Sequence, residues 1–433
     1  MAATVTFGKR RAAIVRGVRT PFVKAGTVFS DVTALDLGRI VVQELVARAD
    51  LDPREIDSCV FGQVIPNLTA MSIAREVVIA AGLPRSIECH SVARACATSI
   101  QALTDAATQI AIGTSEVAIA GGTESMSDPP IFTSRPLAQA LVHASRARNL
   151  PQKLKPFQAL KPKDLIPQPP AIAEYSTGLS MGDSAEKMAK ENGITRKEQD
   201  EIALASHLNA ARAWKEGFFA HDVLHVPVGD KLELVADTDN LVRADTSMEA
   251  LSALKPVFDR RYGTVTAGNA SPLTDGAGAL LVMSEDRARK LGYEPLGYLR
   301  SFAYAGTDPA DQLLQGPAYA APLALDRAGM KLKDIELVEM HEAFAAQIAS
   351  NLQAFASKEF ATKLGRKEPL GEVDKKKLNP NGGSISLGHP FAATGARIVT
   401  QALRELHKRN QSTALVTVCA QGGLGAALVL ERA

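Results

Sequence analysis

Cysteine is scarce in this chain: four in 433 residues, at Cys59, Cys89, Cys96 and Cys419. No two are spaced as CxxC, which excludes a zinc ribbon or a thioredoxin-type pair. Four thiols in so long a chain do not make a disulfide framework, so a reduced, cytoplasmic setting is expected ahead of a mitochondrial one. Aromatics are 5% with one tryptophan, too few to make base- or sugar-stacking the main business. No sign of charge is in excess: Lys+Arg is 49 and Asp+Glu 47, which argues against a dedicated nucleic-acid binder. Long apolar runs are missing too. The longest uncharged stretch, Asn410 to Leu430, is broken by Gly422-Gly423-Leu424-Gly425 and carries Asn, Gln and Thr. It reads as strand–turn–strand rather than as a membrane span. The N-terminus has no apolar signal core. Six Lys/Arg residues precede the first acid, Asp31, as in transit peptides. The preferred reading there is a basic first strand, Ala12-Ala13-Ile14-Val15, running into a loop at Arg19-Thr20-Pro21-Phe22.

What is present is an ordinary globular mix, 46% hydrophobic and 22% charged. The length suits two or three domains of roughly 100–200 residues each. Two segments look like copies. Ala47-Arg48-Ala49-Asp50-Leu51 leads through Glu55-Ile56-Asp57 to Cys59-Val60-Phe61-Gly62. Asp326-Arg327-Ala328-Gly329-Met330 leads through Asp334-Ile335-Glu336 to Val338-Glu339-Met340-His341. Each reads as helix end, turn and buried strand. A second pair follows in the same order. Cys96–Gly122 is helix, break at Gly113, strand and two glycines; His389–Gly423 is helix, break at Lys408-Arg409-Asn410, strand and two glycines. The pattern predicts a duplicated α/β unit with mostly parallel strands. Between the halves, Pro151, Pro156, Pro162, Pro167, Pro169 and Pro170 exclude regular helix or central strand over Leu150–Pro170. A long helix follows over Thr195–Gly217, with Thr195 as its cap and Glu198 three residues on. The expected division is a core domain from 1–125 with 250–295, an inserted loop subdomain at 126–249, and a second core domain at 296–433.

Four places carry chemistry. Ala97, Ile100, Leu103, Ala107 and Ile110 recur at helical spacing, so a buried helix begins near Cys96. A cysteine there feels the positive end of the helix dipole and free N–H groups, which lower its pKa and make a nucleophile; the plain alternative is a small core cysteine. Glycines bracket His389 in Gly382-Gly383-Ser384-Ile385-Ser386-Leu387-Gly388-His389-Pro390, just before a helix of small residues. A histidine so placed suits a general base for a thiol. Cys419 ends an apolar strand before Gln421-Gly422-Gly423, where turn N–H groups can face an oxyanion. His341-Glu342-Ala343-Phe344-Ala345 starts like the zinc motif HExxH, but Ala345 breaks it, so His341 is a pocket donor and no metal is expected. No phosphate loop, GxSxG elbow or dinucleotide fingerprint is present.

Taken together these stretches, with Gly121-Gly122-Thr123-Glu124-Ser125-Met126 and Gly263-Thr264-Val265-Thr266-Ala267-Gly268-Asn269-Ala270-Ser271, resemble the thiolase family from about Ala12 to Leu430. The subgroup it most resembles is the thiolase (β) subunit of the fatty-acid β-oxidation complex, through His341-Glu342-Ala343-Phe344-Ala345, Ala173-Glu174-Tyr175-Ser176-Thr177-Gly178-Leu179 and His389-Pro390-Phe391-Ala392-Ala393-Thr394-Gly395. Asn379-Pro380-Asn381-Gly382 is more like ordinary thiolases, and Gln421 stands where a small residue is usual. The resemblance implies duplicated αβαβα layered domains with a loop subdomain, and thiolytic cleavage of 3-oxoacyl-CoA by CoA to acetyl-CoA and a shortened acyl-CoA. It implies Cys96 as the acylated nucleophile, His389 as base and Cys419 as acid/base on the acetyl-CoA carbon. His341 and the backbone N–H of Gln421 become oxyanion donors, and Ser271, Met181 and Arg243 the CoA-binding positions. CoA is then a substrate, and no bound cofactor is needed. Implied partners are a second copy of the chain and a hydratase/hydroxyacyl-CoA dehydrogenase α subunit. The alternatives are an acetoacetyl-CoA thiolase working in the condensing direction, a ketoacyl-synthase-like condensing enzyme, and a CoA-binding or assembly subunit with a dead site. A second catalytic cysteine at 419 speaks for a thiolase.

Overall fold

The computed structural model describes residues 10–168, 170, 173–229 and 233–433; part of the basic N-terminal segment, residues 1–9, lies outside them. Among the described residues the main sheet has ten strands, nine of them in line: β1 (Ala12–Arg19), β2 (Ser58–Gly62), β3 (Glu88–Val92), β4 (Val117–Glu124), β5 (Thr274–Ser284), β6 (Gly297–Gly306), β7 (Leu337–Met340), β8 (Thr413–Ala420) and β9 (Leu424–Arg432); the tenth, Val23–Lys24, pairs only with the start of β5. The helices that matter are α1 (Ala34–Ala49), α2 (Thr98–Ile112), α3 (Met181–Glu191), α4 (Arg196–Lys215), α5 (Gly316–Ala328), α6 (Ala345–Ala356) and α7 (Thr394–Arg409).

Strand order is β7-β8-β9-β6-β1-β5-β4-β2-β3. From the centre outward, β1–β5 and β5–β4 are antiparallel and β4–β2 is parallel. On the other side β6–β9 and β9–β8 are antiparallel and β8–β7 is parallel. The sheet is thus mostly antiparallel, not mostly parallel as expected, because strands joined by a short turn, such as β8 and β9, must run antiparallel. The two halves therefore repeat one pattern and meet through a short β1–β6 pairing at Ala13 and Ile14. Only β3 lacks a full counterpart: β7 has a single parallel bridge in its place, Val338 to Leu378. The duplication expected from the copied segments is thus a repeat of topology, down to the left-handed residues that close α2 (Gly113) and α7 (Asn410).

Alternation along the strands sets the layers. On β5, Ala279, Leu281 and Met283 pack with Leu37, Val41 and Leu45 of α1, while Leu280 and Val282 face the opposite way. On β8, Leu415 packs toward α5, while Ala414, Val416 and Val418 face the same interior as Leu280 and Val282. That shared interior holds Ile100, Leu103 and Ile110 of α2 with Ile398, Val399 and Leu406 of α7. The result is five layers, α-β-α-β-α, with α2 and α7 in the middle. Each fully buried aliphatic side chain there contributes about 1.5–3 kcal/mol.

The hairpin read from Asn410–Leu430 is β8 and β9. The Thr195 cap is a full capping box with Glu198, opening α4. The proline-rich stretch departs from expectation. It includes a five-residue helix at Leu150–Leu154 and 3-10 turns at Lys155–Ala159 and Pro162–Leu165, each with a proline in its first two positions. Proline lacks only an N–H that the first turn leaves unpaired, so it begins short helices where it cannot continue long ones. Ile65–Met71 and Pro129–Ile172 form a compact unit of their own; the rest of the described residues pack as one body. Among the described residues no helix is long and apolar enough to cross a membrane.

Candidate active site

The two central helices begin against each other, and that places the site. The Ala396 N–H donates to Ser99 Oγ at 2.9 Å. A Cβ on Gly395 would lie 2.7 Å from Ile100 Cγ1 and 2.8 Å from the Ile100 nitrogen, so only glycine permits this approach. Cys96 lies just before α2 and His389 just before α7, so the close contact of the helix starts brings them together. Cys96 sits in a tight turn in which Ala95 has φ 44°, a left-handed value unusual for a residue with a side chain. Thr98 holds that turn: its hydroxyl accepts from the Arg94 N–H (2.8 Å) and donates to Ala95 O (2.7 Å).

The other two groups come from the ends of adjacent parallel strands. His341 follows β7, and its N–H donates to Thr417 O of β8 at 2.9 Å. Cys419 is near the end of β8 and is fully buried. The Cys96 sulfur and one ring nitrogen each of His341 and His389 lie within 4.8 Å of one another. The imidazole centroids are 4.1 Å apart. Each Nδ1 is engaged from behind, His341 with Ser384 Oγ (2.8 Å) and His389 with Thr394 Oγ1 (2.6 Å). Each Nε2 is buried with no partner among the described residues, which leaves both for chemistry. The backbone N–H groups of Cys96 and Gln421 face the Cys96 sulfur. This trio is also the one cluster among the described residues whose ligand atoms would suit a soft metal.

Two family models match: "Thiolase, N-terminal domain" over residues 12–286 and "Thiolase, C-terminal domain" over 293–432. The chain belongs to the thiolase family. It is 53% identical over 422 residues to a 3-ketoacyl-CoA thiolase of Serratia proteamaculans, covering 97% of each chain. It is 54% identical over 424 residues to a 3-ketoacyl-CoA thiolase of Pectobacterium carotovorum, covering 97% of this chain and 96% of that one. Among solved structures it is similar to the Bacillus anthracis acetyl-CoA acetyltransferase (TM-score 0.85, 32% identity, 99% of this chain and 100% of that one). It is also similar to human mitochondrial 3-ketoacyl-CoA thiolase (TM-score 0.81, 30% identity, 98% and 99%).

The electrostatics of this thiolase site differ from the expectation for Cys96. Burial pushes its thiol up to about 12, against the lowering effect of the Gln421 and Cys96 N–H groups. Ala97 is the cap and Thr98 the first helical residue, so Cys96 lies one position outside the helix terminus. Although the residue keeps some surface, the protein packed around the sulfur outweighs the helix dipole. Burial also pushes the Cys419 thiol well above its ordinary value, and Cys96 adds to that. His389 is lowered to about 3, first by burial and then by Arg397. His341 is lowered too, by burial, His389 and Arg397. The resting site is therefore two thiols and two neutral imidazoles.

The remaining predicted positions divide. Ser271 lies on a loop laced between the two histidine segments: its N–H donates to Ala343 O (2.9 Å), and His389 N–H donates to Thr274 Oγ1 (3.0 Å). Met181 opens α3 and packs on the apolar cluster of Ala343, Phe344 and Cys419. Arg243 is exposed, and its backbone N–H donates to His207 Nδ1 at 3.2 Å; the structure ties it to His207 rather than to the cysteines. The Gln421 side chain donates to Ala173 O (2.9 Å), while Gly422 N–H donates to Glu174 Oε2 (2.9 Å). The larger residue at 421 thus tethers the Ala173–Leu179 segment.

Sequence reading missed the groups behind the histidines. Thr394, Ser384 and Arg397 lie within the glycine-rich stretch around His389; the Thr394 contact is local, five residues on, but Ser384 reaches His341 only through the tertiary fold. Glu342, weighed only as part of a broken zinc motif, is a buried clasp. Its Oε1 accepts from Asn379 Nδ2 (2.7 Å), and its Oε2 from Ser206 Oγ (2.7 Å) and Ile385 N–H (3.2 Å). It binds the His341 segment to the turn before His389.

Proposed function

We propose that the chain is a 3-ketoacyl-CoA thiolase: with CoA it cleaves 3-oxoacyl-CoA to acetyl-CoA and an acyl-CoA two carbons shorter. The observation that carries this is the meeting of Cys96, His389 and His341, with Cys419 beside Cys96, on a thiolase fold. In this reading Cys96 Sγ attacks the 3-keto carbon and His389 Nε2 takes its proton, since a buried thiol this weakly acidic needs a base. The backbone N–H groups of Cys96 and Gln421 receive the oxyanion. The C2–C3 bond then breaks and its electron pair forms the acetyl-CoA enolate, whose oxygen faces His341 Nε2. Cys419 protonates C2, and the proton held on His389 restores the Cys419 thiol. In the second half-reaction His389 takes the CoA thiol proton, CoA sulfur attacks the acyl-Cys96 thioester, and Cys96 leaves as a thiolate that recovers the proton. Two oxyanion sites and a carbon acid are what a C–C cleavage needs beyond acyl transfer.

The same reading gives Ser271 and Met181 to the pantetheine channel and Arg243 to the nucleotide. It takes 1–125 with 250–295 and 296–433 as the two core domains and 126–249 as the loop subdomain. It extends to a cytoplasmic homodimer assembled with an α subunit that carries the hydratase and hydroxyacyl-CoA dehydrogenase steps. The test is a rate series with purified protein over 3-oxoacyl-CoA chain lengths, following CoA-dependent loss of the magnesium-complexed enolate absorbance. Cleavage of chains longer than four carbons supports the reading. Activity on acetoacetyl-CoA alone would replace it with a short-chain condensing thiolase.

A further inference from the structure

His341 and His389 are neighbours, their rings tilted 47° to each other, but their Nδ1 atoms are held differently. Thr394 Oγ1, beside His389, has no other hydrogen-bond partner among the contacts described, so it is free to accept an Nδ1–H. Ser384 Oγ, beside His341, is not placed in the same way. It also receives the Arg397 guanidinium, whose Nη2 donates to it at 2.9 Å. Arg397 is 2% exposed, and its Nη1 donates to Gln401 Oε1 at 3.2 Å. Gln401 is in turn anchored on Gly382 O at 2.9 Å. A guanidinium has only donors. Ser384 Oγ therefore accepts from Arg397, and its single hydrogen has one acceptor within reach among the described residues, His341 Nδ1. With Nδ1 accepting, a neutral imidazole carries its proton on Nε2.

We infer that Ser384 and Arg397 are positioning residues that hold His341 in its Nε2–H tautomer, making it a fixed donor to the enolate oxygen, while His389, on Thr394, keeps Nε2 free to accept a proton. Two adjacent neutral histidines would then have opposite roles, set by what lies behind each ring. The inference rests on the function proposed above. It also gives a reason for a buried cation there: Arg397 fixes the direction of the serine hydroxyl and disfavours a charged His341.

The device bears on one half-reaction only. C–C cleavage develops charge on the enolate oxygen; transfer of a saturated acyl group between Cys96 and CoA does not. The experiment compares wild type, Ser384→Ala and Ser384→Thr in two assays: thiolysis of a 3-oxoacyl-CoA, and exchange of labelled CoA into a saturated acyl-CoA. In Ser384→Ala the ratio of cleavage to exchange should fall ~10-fold or more, below the ~10²–10³ of deleting an oxyanion donor outright because the ring remains. The loss should appear in kcat and in kcat/KM alike, with KM little changed, as for an interaction made only in the transition state. Ser384→Thr, which keeps the hydroxyl, should recover most of the ratio. An unchanged ratio in Ser384→Ala would overturn the inference. So would a parallel loss of both activities that threonine does not rescue, which marks a packing role. Absence of cleavage by the wild type would instead overturn the proposed function, and this inference with it.

Discussion

Replacing Gly395 by alanine tests how the fold sets the distance between Cys96 and His389, the proposed nucleophile and base. The added Cβ would meet Ile100 Cγ1 at 2.7 Å, the Ile100 nitrogen at 2.8 Å and Ser99 Oγ at 2.8 Å. Carbon contacts are comfortable near 3.5–4.0 Å, so the start of α7 must retreat from α2 by roughly 0.7–1 Å. The isoleucine side chain can rotate; its backbone nitrogen cannot. Overpacking of this kind costs about 1–3 kcal/mol. The catalytic effect is larger, because the retreat carries His389 away from Cys96, and a misplacement of ~1 Å costs ~100-fold in rate. Gly395→Ala should therefore fold with a lowered Tm and lose most of kcat in both thiolysis and acyl exchange, since both need the Cys96–His389 pair. The assays are thermal unfolding followed by circular dichroism and the two activities under saturating substrate. A variant that keeps wild-type kcat and Tm would refute the claim that this helix contact sets the site.

Three further outcomes follow from the same geometry. His389, lowered to about 3, is a neutral base throughout the physiological range, so iodoacetamide should alkylate Cys96 at a rate nearly flat between pH 6 and 9. In His389→Ala, hydroxide must remove a proton from a thiol near 12, and labelling read by peptide mass spectrometry should rise about tenfold per pH unit; a plateau near neutral pH in that variant would contradict the assignment. Glu342→Gln places an NH2 against either the Asn379 donor or the Ser206 and Ile385 donors. It should lower stability by about 1–3 kcal/mol, seen as a lower urea midpoint with the same m-value.

Much of this architecture was legible because it is local and repeated. Helix end, turn and strand recur in both halves, glycine or asparagine closes each central helix, and a capping box opens α4; each signal lies within a few residues. The places of Cys96, His341, His389 and Cys419 were legible for a related reason: each lies near the end of a strand or the start of a helix, where a change in hydrophobic pattern marks a boundary. What was not legible is what burial and tertiary contact decide. A helix start suggested an acidic Cys96, but the packed protein around its sulfur reverses the shift. Ser384 and Arg397 are thirteen residues apart in a stretch read for its glycines, and only packing shows Arg397 bonded to Ser384 behind His341, which comes from a distant segment. Glu342 was read only as part of a broken zinc motif; its three donors, Asn379 and Ile385 from one stretch and Ser206 from α4, meet only in the fold. The proline-rich stretch forbade long helices but not the short ones it starts.

The most direct test of the central claim separates the two cysteines by intact-mass spectrometry. Cys419→Ala, given a saturated acyl-CoA, should gain one acyl group on Cys96 and pass it to CoA, because that half needs no carbon acid. Given a 3-oxoacyl-CoA and CoA, it should cleave at least ~100-fold more slowly than wild type, the low end of what a positioned acid contributes. Cys96→Ala should take up no acyl group and cleave nothing. Near-normal thiolysis by Cys419→Ala, or an acyl adduct on any residue other than Cys96, would contradict the account.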